Sequence, residues 1–109
     1  MRRNREQVVR LVREFRQRLV PVYAERLKGV YLYGSYARGE ADEDSDIDVA
    51  VVLAGPVNRA EERRRTSELR AELSLRESCV LMPFFLSEDE YSRTPYAIHR
   101  SILREGVPV

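Results

Sequence analysis

The stretch GSYARGEADEDSDIDVAVV, Gly34 to Val52, decides how this chain is read. It runs from a Gly-Ser through a polar loop into an apolar segment, with Asp46 and Asp48 at the entrance to that segment. Strands ordinarily avoid aspartate, so the placement needs a reason. Side chains alternate along a strand; Asp46 and Asp48 therefore share one face, while Ile47 and Val49 point to the other, toward a core. Two carboxylates at this spacing repel unless a positive charge lies between them. A hard divalent cation such as Mg²⁺ fits, because it takes oxygen ligands and is held by one or two carboxylates plus substrate phosphates.

The Gly-Ser offers the complementary half. Gly34 removes a side chain where a phosphate would approach the backbone. The N–H groups that follow, at the opening of a helical turn over 35–38, make an anion site, and the Ser35 hydroxyl adds a donor. Phosphoryl and nucleotidyl transfer ask mainly for positioning and charge neutralisation, which a one- or two-metal site beside such a cradle supplies. Taken singly, each feature has a plainer meaning: a solvated strand start for the two acids, a helix cap for Ser35. Glu40, Asp42, Glu43 and Asp44 read as a polar rim. Arg38 has two readings, a phosphate or partner contact and a salt bridge to the acids at 42–44.

Working outward, residues 3–28 predict a helix. Val8, Leu11, Val12, Phe15, Leu19, Val22 and Tyr23 recur at spacings of three and four between charges. Pro21 is placed to kink it or to start a second short helix, and Gly29 to stop it. Val30–Tyr33 reads as a buried strand, and Ile47–Leu53 as a second. The short link between them makes the pair antiparallel. Gly55-Pro56 breaks the chain, and Asn58 caps a predicted helix over 59–74. Cys79–Leu86 reads as a third strand, with Pro83 marking an edge or a bulge. Ser87 and Glu90 form a capping-box pattern, and a last helix spans 96–104, ending near Gly106. The order predicts an α/β (α+β) domain with a small mixed sheet flanked by helices, occupying residues 1–109 as one unit.

Composition narrows the function classes. The chain of 109 residues carries 19 basic and 18 acidic side chains, a formal charge of +1, which gives no global reason to bind nucleic acid or an anionic membrane. All the basic residues except Lys28 are arginine. The single cysteine, Cys79, rules out an intramolecular disulfide and suits a reducing cytoplasm. No signal peptide is legible, and no apolar run approaches the ~20 residues needed to span a bilayer. Arg63–Arg65 read as a solvated helix face, His99 as a helix-surface or packing residue and Cys79 as a small buried one. Phe84, Phe85, Tyr91 and Tyr96 read as core, or as the contact surface of a homo-oligomer or partner.

The string Gly34-Ser35, ten intervening residues, then Asp46-Ile47-Asp48 resembles the signature of the DNA polymerase β-like nucleotidyltransferase superfamily. With Tyr36, Ala37, Arg38, Gly39 and Ser45 added, it looks like the minimal nucleotidyltransferase group. The resemblance implies a mixed-sheet nucleotidyltransferase core with Mg²⁺ on Asp46 and Asp48. It implies ATP as the substrate, its triphosphate on Gly34 and Ser35 with Arg38 and Ser45 beside them. Many members of that group are antitoxins encoded beside a HEPN-type toxin, to which they transfer AMP, so the resemblance implies a protein partner of that kind. The family pattern also has a third acid on the third strand. Here that region reads ESCVLMPFF, Glu77 to Phe85, with Cys79 at the aligned place. Glu77, two residues earlier, shares its face if the strand extends so far, and is the candidate third catalytic carboxylate. Without such an acid, the chain would be a weak enzyme or a module that neutralises a partner by contact.

Overall fold

Asn4 opens the first helix, α1 (Arg5–Tyr23), through a reciprocal box with Gln7: its side chain accepts from the Gln7 N–H at 2.8 Å, and its own N–H donates back at 3.0 Å. The computed structural model describes residues 4–42 and 45–109. Glu43 and Asp44 of the acidic rim, and the first residue of the expected helix, lie outside them.

The α1 stripe is buried as its spacing requires, with Val8, Val12, Phe15 and Leu19 fully enclosed. Val22, expected in that stripe, is exposed. Pro21 sits in the last turn, where its missing N–H weakens the ladder, and the helix ends two residues later. Ala24 turns the chain with φ +48°, not Gly29. A 3₁₀ turn over Ala24–Arg26 follows, so Gly29 lies inside β1 (Leu27–Tyr33), at an irregularity between Leu27 and Gly29.

α2 (Ser35–Arg38) leads through the acidic loop to β2 (Ile47–Leu53). The expected helix over 59–74 is two, α3 (Arg59–Arg65) and α4 (Ser67–Arg76). Thr66 divides them: its buried hydroxyl donates to the Glu62 carbonyl at 2.9 Å, a local bond that competes with the helical ladder. The third strand, β3 (Leu81–Ser87), starts two residues later than expected. Ser87 ends it and caps α5 (Glu88–Arg93), in the predicted box with Glu90. α6 (Ala97–Glu105) and a two-residue strand, β4 (Val107–Pro108), complete the chain. That strand carried no sequence signal, because two residues, one of them proline, show no alternation.

Among the described residues the sheet has the order β3-β2-β1-β4. β1 is antiparallel to β2 and to β4, whereas β2 and β3 are parallel. This is the expected small mixed sheet. Pro83 lies on an edge strand and leaves the register intact, so the edge reading holds and the bulge does not.

Alternation divides the sheet into two faces. Val30, Leu32, Ile47, Val49, Val51, Leu53, Leu81 and Phe85 pack against α1 and Leu73 of α4. Ala50, Val52, Tyr31, Tyr33, Phe84 and Leu86 face α5 and α6, where Ile102 and Tyr91 cover them. Tyr31 stacks on Tyr91 with centroids 5.2 Å apart. Of the aromatics read as core or contact, Phe85 is fully buried and Tyr96 is 65% exposed. Arg63, Arg64 and Arg65 are exposed, as read, and Arg65 pairs with Glu61 one turn away. His99 is buried against Phe84 and Tyr96, its Nδ1 accepting from the Tyr96 N–H at 3.4 Å; it packs, as expected.

Phe15 anchors the larger face. Phe15→Ala should remove about 3–5 kcal/mol of unfolding free energy, read as a lower urea midpoint with an unchanged denaturant slope.

Candidate active site

The site begins where β1 ends. Tyr33 is the cross-strand partner of Asp48, which brings the chain after Tyr33 beside the start of β2. Gly34 then adopts φ +78° and ψ −154°, a region open almost only to glycine. A Cβ there would collide with Asp48 Oδ2 and lie 3.2 Å from the Asp48 Cβ and Cγ. The missing side chain is thus filled by the carboxylate itself. Ser35 opens α2, Arg38 N–H donates to the Gly34 carbonyl at 3.1 Å, and Gly39 closes the turn with φ +76°.

Asp48 is half-buried, and Asp46, just before the strand, is exposed. Burial pushes the Asp48 carboxyl above its usual range; the negative charge of Asp46 adds to this, and Arg38 opposes it. Tyr33 is pushed up to about 12, by burial first and by Asp48 second. Both shifts describe one thing: excess negative charge in a partly dry place.

Arg38 is salt-bridged, but its described partners are Glu40 and Glu105, not the acids expected at 42–44. Its Nε lies 3.0 Å from Glu40, and its Nη1 3.1 Å from Glu105 at the end of α6. Ser45 is engaged in its own loop: its hydroxyl accepts from the Asp42 N–H at 3.0 Å and donates to Asp42 Oδ1 at 3.2 Å. Tyr36 Oη donates to the Asp42 carbonyl at 3.4 Å from the core side. Ser45 therefore shapes the approach to Asp46, and its side chain is absent from the cleft lining.

Glu77 does not lie on the third strand. It is the C-cap of α4, exposed, with the Arg76 Nε at 3.1 Å. Cys79 also precedes the strand, and the register pairs Asp48 with Met82. The place on β3 that faces Asp48 is thus Met82, an uncharged side chain. Odd-numbered positions of β3 lie with Leu81 and Phe85 on the opposite face, and the strand begins after both Cys79 and Glu77.

An open cleft of about 390 Å³ runs along this edge, lined by Tyr33, Gly34, Ser35, Arg38 and Asp48 on one side and by Ile98, Ser101 and Glu105 of α6 on the other. The α6 residues went unnoticed in the sequence. Their spacing of three and four was the available signal, but nothing local brings a C-terminal helix to a strand end. Among the described residues no three His, Cys, Asp or Glu side chains gather as a metal cluster. The two aspartates nevertheless fit a divalent cation: they are hard oxygen donors whose mutual repulsion it would relieve, beside the backbone that opens α2.

A family model described as a nucleotidyltransferase domain matches residues 9–103. Two proteins of Methanocaldococcus jannaschii are similar. "Putative protein adenylyltransferase MJ0604" is 33% identical over 96 residues, 87% of this chain and 90% of that protein. "Putative protein adenylyltransferase MJ0141" is 29% identical over 77 residues, 71% and 77% of the two chains. Among solved structures, a nucleotidyltransferase assignment from Sulfolobus solfataricus superposes with a TM-score of 0.70 at 22% identity, covering 95% of this chain and 80% of that one. A toxin–antitoxin complex with AMP-PNP gives 0.59 at 21% identity, covering 97% and 72%. The chain belongs to the nucleotidyltransferase domain family.

Two outcomes follow from this geometry. Gly34→Ala should cost about 1–3 kcal/mol of stability through backbone strain alone, with the collision at Asp48 added, measured by chemical denaturation. Asp48→Asn should raise the melting temperature of the metal-free protein at pH 7. The folded pKa of Asp48 is raised, so its penalty is present above that pKa and is lost as pH falls below the ordinary 3.8. The gain should therefore vanish in melts at pH 3.

Proposed function

We propose that this protein is a divalent-cation-dependent nucleotidyltransferase that transfers AMP from ATP to a hydroxyl of a protein partner. We further propose a HEPN-type toxin as that partner, with this chain as the antitoxin. The observation that carries the reading is the contact between Gly34 and Asp48: anion cradle and paired carboxylates form one unit at adjoining strand ends. The names of the two archaeal relatives support adenylyl transfer to protein. A solved complex of an AMPylated HEPN toxin from Shewanella oneidensis with an MNT antitoxin shares the fold, at a TM-score of 0.51.

In the reaction, an acceptor oxygen bonds to the α-phosphorus of ATP. The bond from that phosphorus to the bridging oxygen breaks, and pyrophosphate leaves with the electron pair. The acceptor proton passes to solvent or to a carboxylate of the partner. Asp46 and Asp48 would hold the cation, which when bound neutralises phosphate charge and eases ionisation of the acceptor. The backbone at Gly34 and Ser35, with the Ser35 hydroxyl, receives phosphate oxygens. Arg38 stands ready to exchange a carboxylate partner for phosphate. Ser45 holds the loop that presents Asp46.

A second reading has its own observation. Met82 opposite Asp48 leaves β3 without a carboxylate on this face, which favours a module that binds nucleotide and neutralises its partner by contact alone. One experiment separates the two. A lysate of the source organism is incubated with α-labelled ATP and Mg²⁺, with wild type or the Asp46→Ala/Asp48→Ala double variant. The transferase reading expects a labelled protein band with wild type only. No band, from a protein that still binds ATP, would overturn transfer; Asp46→Ala should then still protect cells against the toxin.

A further inference from the structure

α6 turns two stripes in two directions. His99 and Ile102 point into the core, while Ile98, Ser101 and Glu105, spaced by three and four, point into the cleft. Glu105 lies at the phosphate end, tied to Arg38 at 3.1 Å. Ser101 comes one turn away, and its hydroxyl has no hydrogen-bond partner among the described residues. Ile98 is a further turn along and 39% exposed, and it is the aliphatic side chain that α6 contributes to the cleft lining; Leu103, 50% exposed, is not part of that lining. At 1.5 Å per residue this stripe covers about 10 Å. From the Arg38 guanidinium that Glu105 holds, the chemistry along it passes from cation to hydroxyl to hydrocarbon.

That order matches a nucleoside triphosphate: phosphates, then sugar, then base. Resting on the nucleotidyltransferase reading above, we propose that α6 is the nucleoside wall of the cleft. Ser101 Oγ bonds a ribose hydroxyl, and Ile98 packs against the face of the base. The Arg38–Glu105 pair fixes the helix end against the cradle and so sets the distance between phosphate and base. Recognition of the nucleoside thus comes from the C-terminal helix, apart from the Gly-Ser and aspartate motif.

The test compares two ligands in the presence of Mg²⁺, ATP and inorganic triphosphate, by calorimetry on the full chain. Wild type should bind ATP more tightly than triphosphate. Ile98→Ser should weaken ATP about tenfold and triphosphate by less than twofold. Ser101→Ala should weaken ATP about threefold with the same selectivity. Both sites are solvent-facing, and circular dichroism with thermal melts confirms that each variant is folded. Equal wild-type affinity for the two ligands, or variants that leave ATP binding unchanged, would overturn the nucleoside wall while leaving the phosphate cradle standing. Wild type binding neither ligand would overturn both.

Discussion

The antiparallel pairing of β1 with β2 is the constraint on which the rest depends. It sets Tyr33 opposite Asp48, so the chain leaving β1 must pass the Asp48 carboxylate at contact distance. Only glycine can make that passage, because it needs both a positive φ and no Cβ. A local backbone demand and a chemical one are met by the same atom that is missing. The result brings backbone N–H groups and ionised oxygens together at one sheet edge, an arrangement suited to a ligand that carries negative phosphates and comes with a cation.

Holding charge there has a cost, visible in the upward shifts of Asp48 and Tyr33. The fold tolerates it because the remaining surface of the sheet is apolar and well enclosed on both faces. Arg38 is the counterweight, but it is shared with Glu40 and Glu105, so the cleft as a whole remains acidic. Such a cleft repels a bare nucleotide and favours one accompanied by divalent ions. Sites of this kind are destabilised when empty and relieved when filled.

Much of the architecture was legible because it rests on local rules. The α1 stripe, the Ser87–Glu90 capping box and the alternation of β2 each follow from spacing within one element. The errors fall where a side chain or a distant partner overrides the pattern. Thr66 splits a helix by bonding its own backbone, and Ala24, not Gly29, makes the left-handed turn after α1. Glu77 lies at the end of α4, before β3 begins. One residue of register decides which face a strand position takes, and the sequence around 77–81 did not say where the strand begins.

By itself, then, the sequence determined that Gly34, Ser35 and Asp48 lie together, since a strand, a tight turn and a second strand leave those residues one short-range arrangement. Only the tertiary structure decided what faces them. That Met82 stands beside Asp48 depends on the parallel pairing of β2 and β3, across the α3–α4 crossover. That Ile98, Ser101 and Glu105 line the cleft depends on α6 packing Ile102 onto Ala50 and Val52. Both are contacts between segments far apart in the chain, set by the burial of apolar faces, and no local pattern encodes which faces will meet.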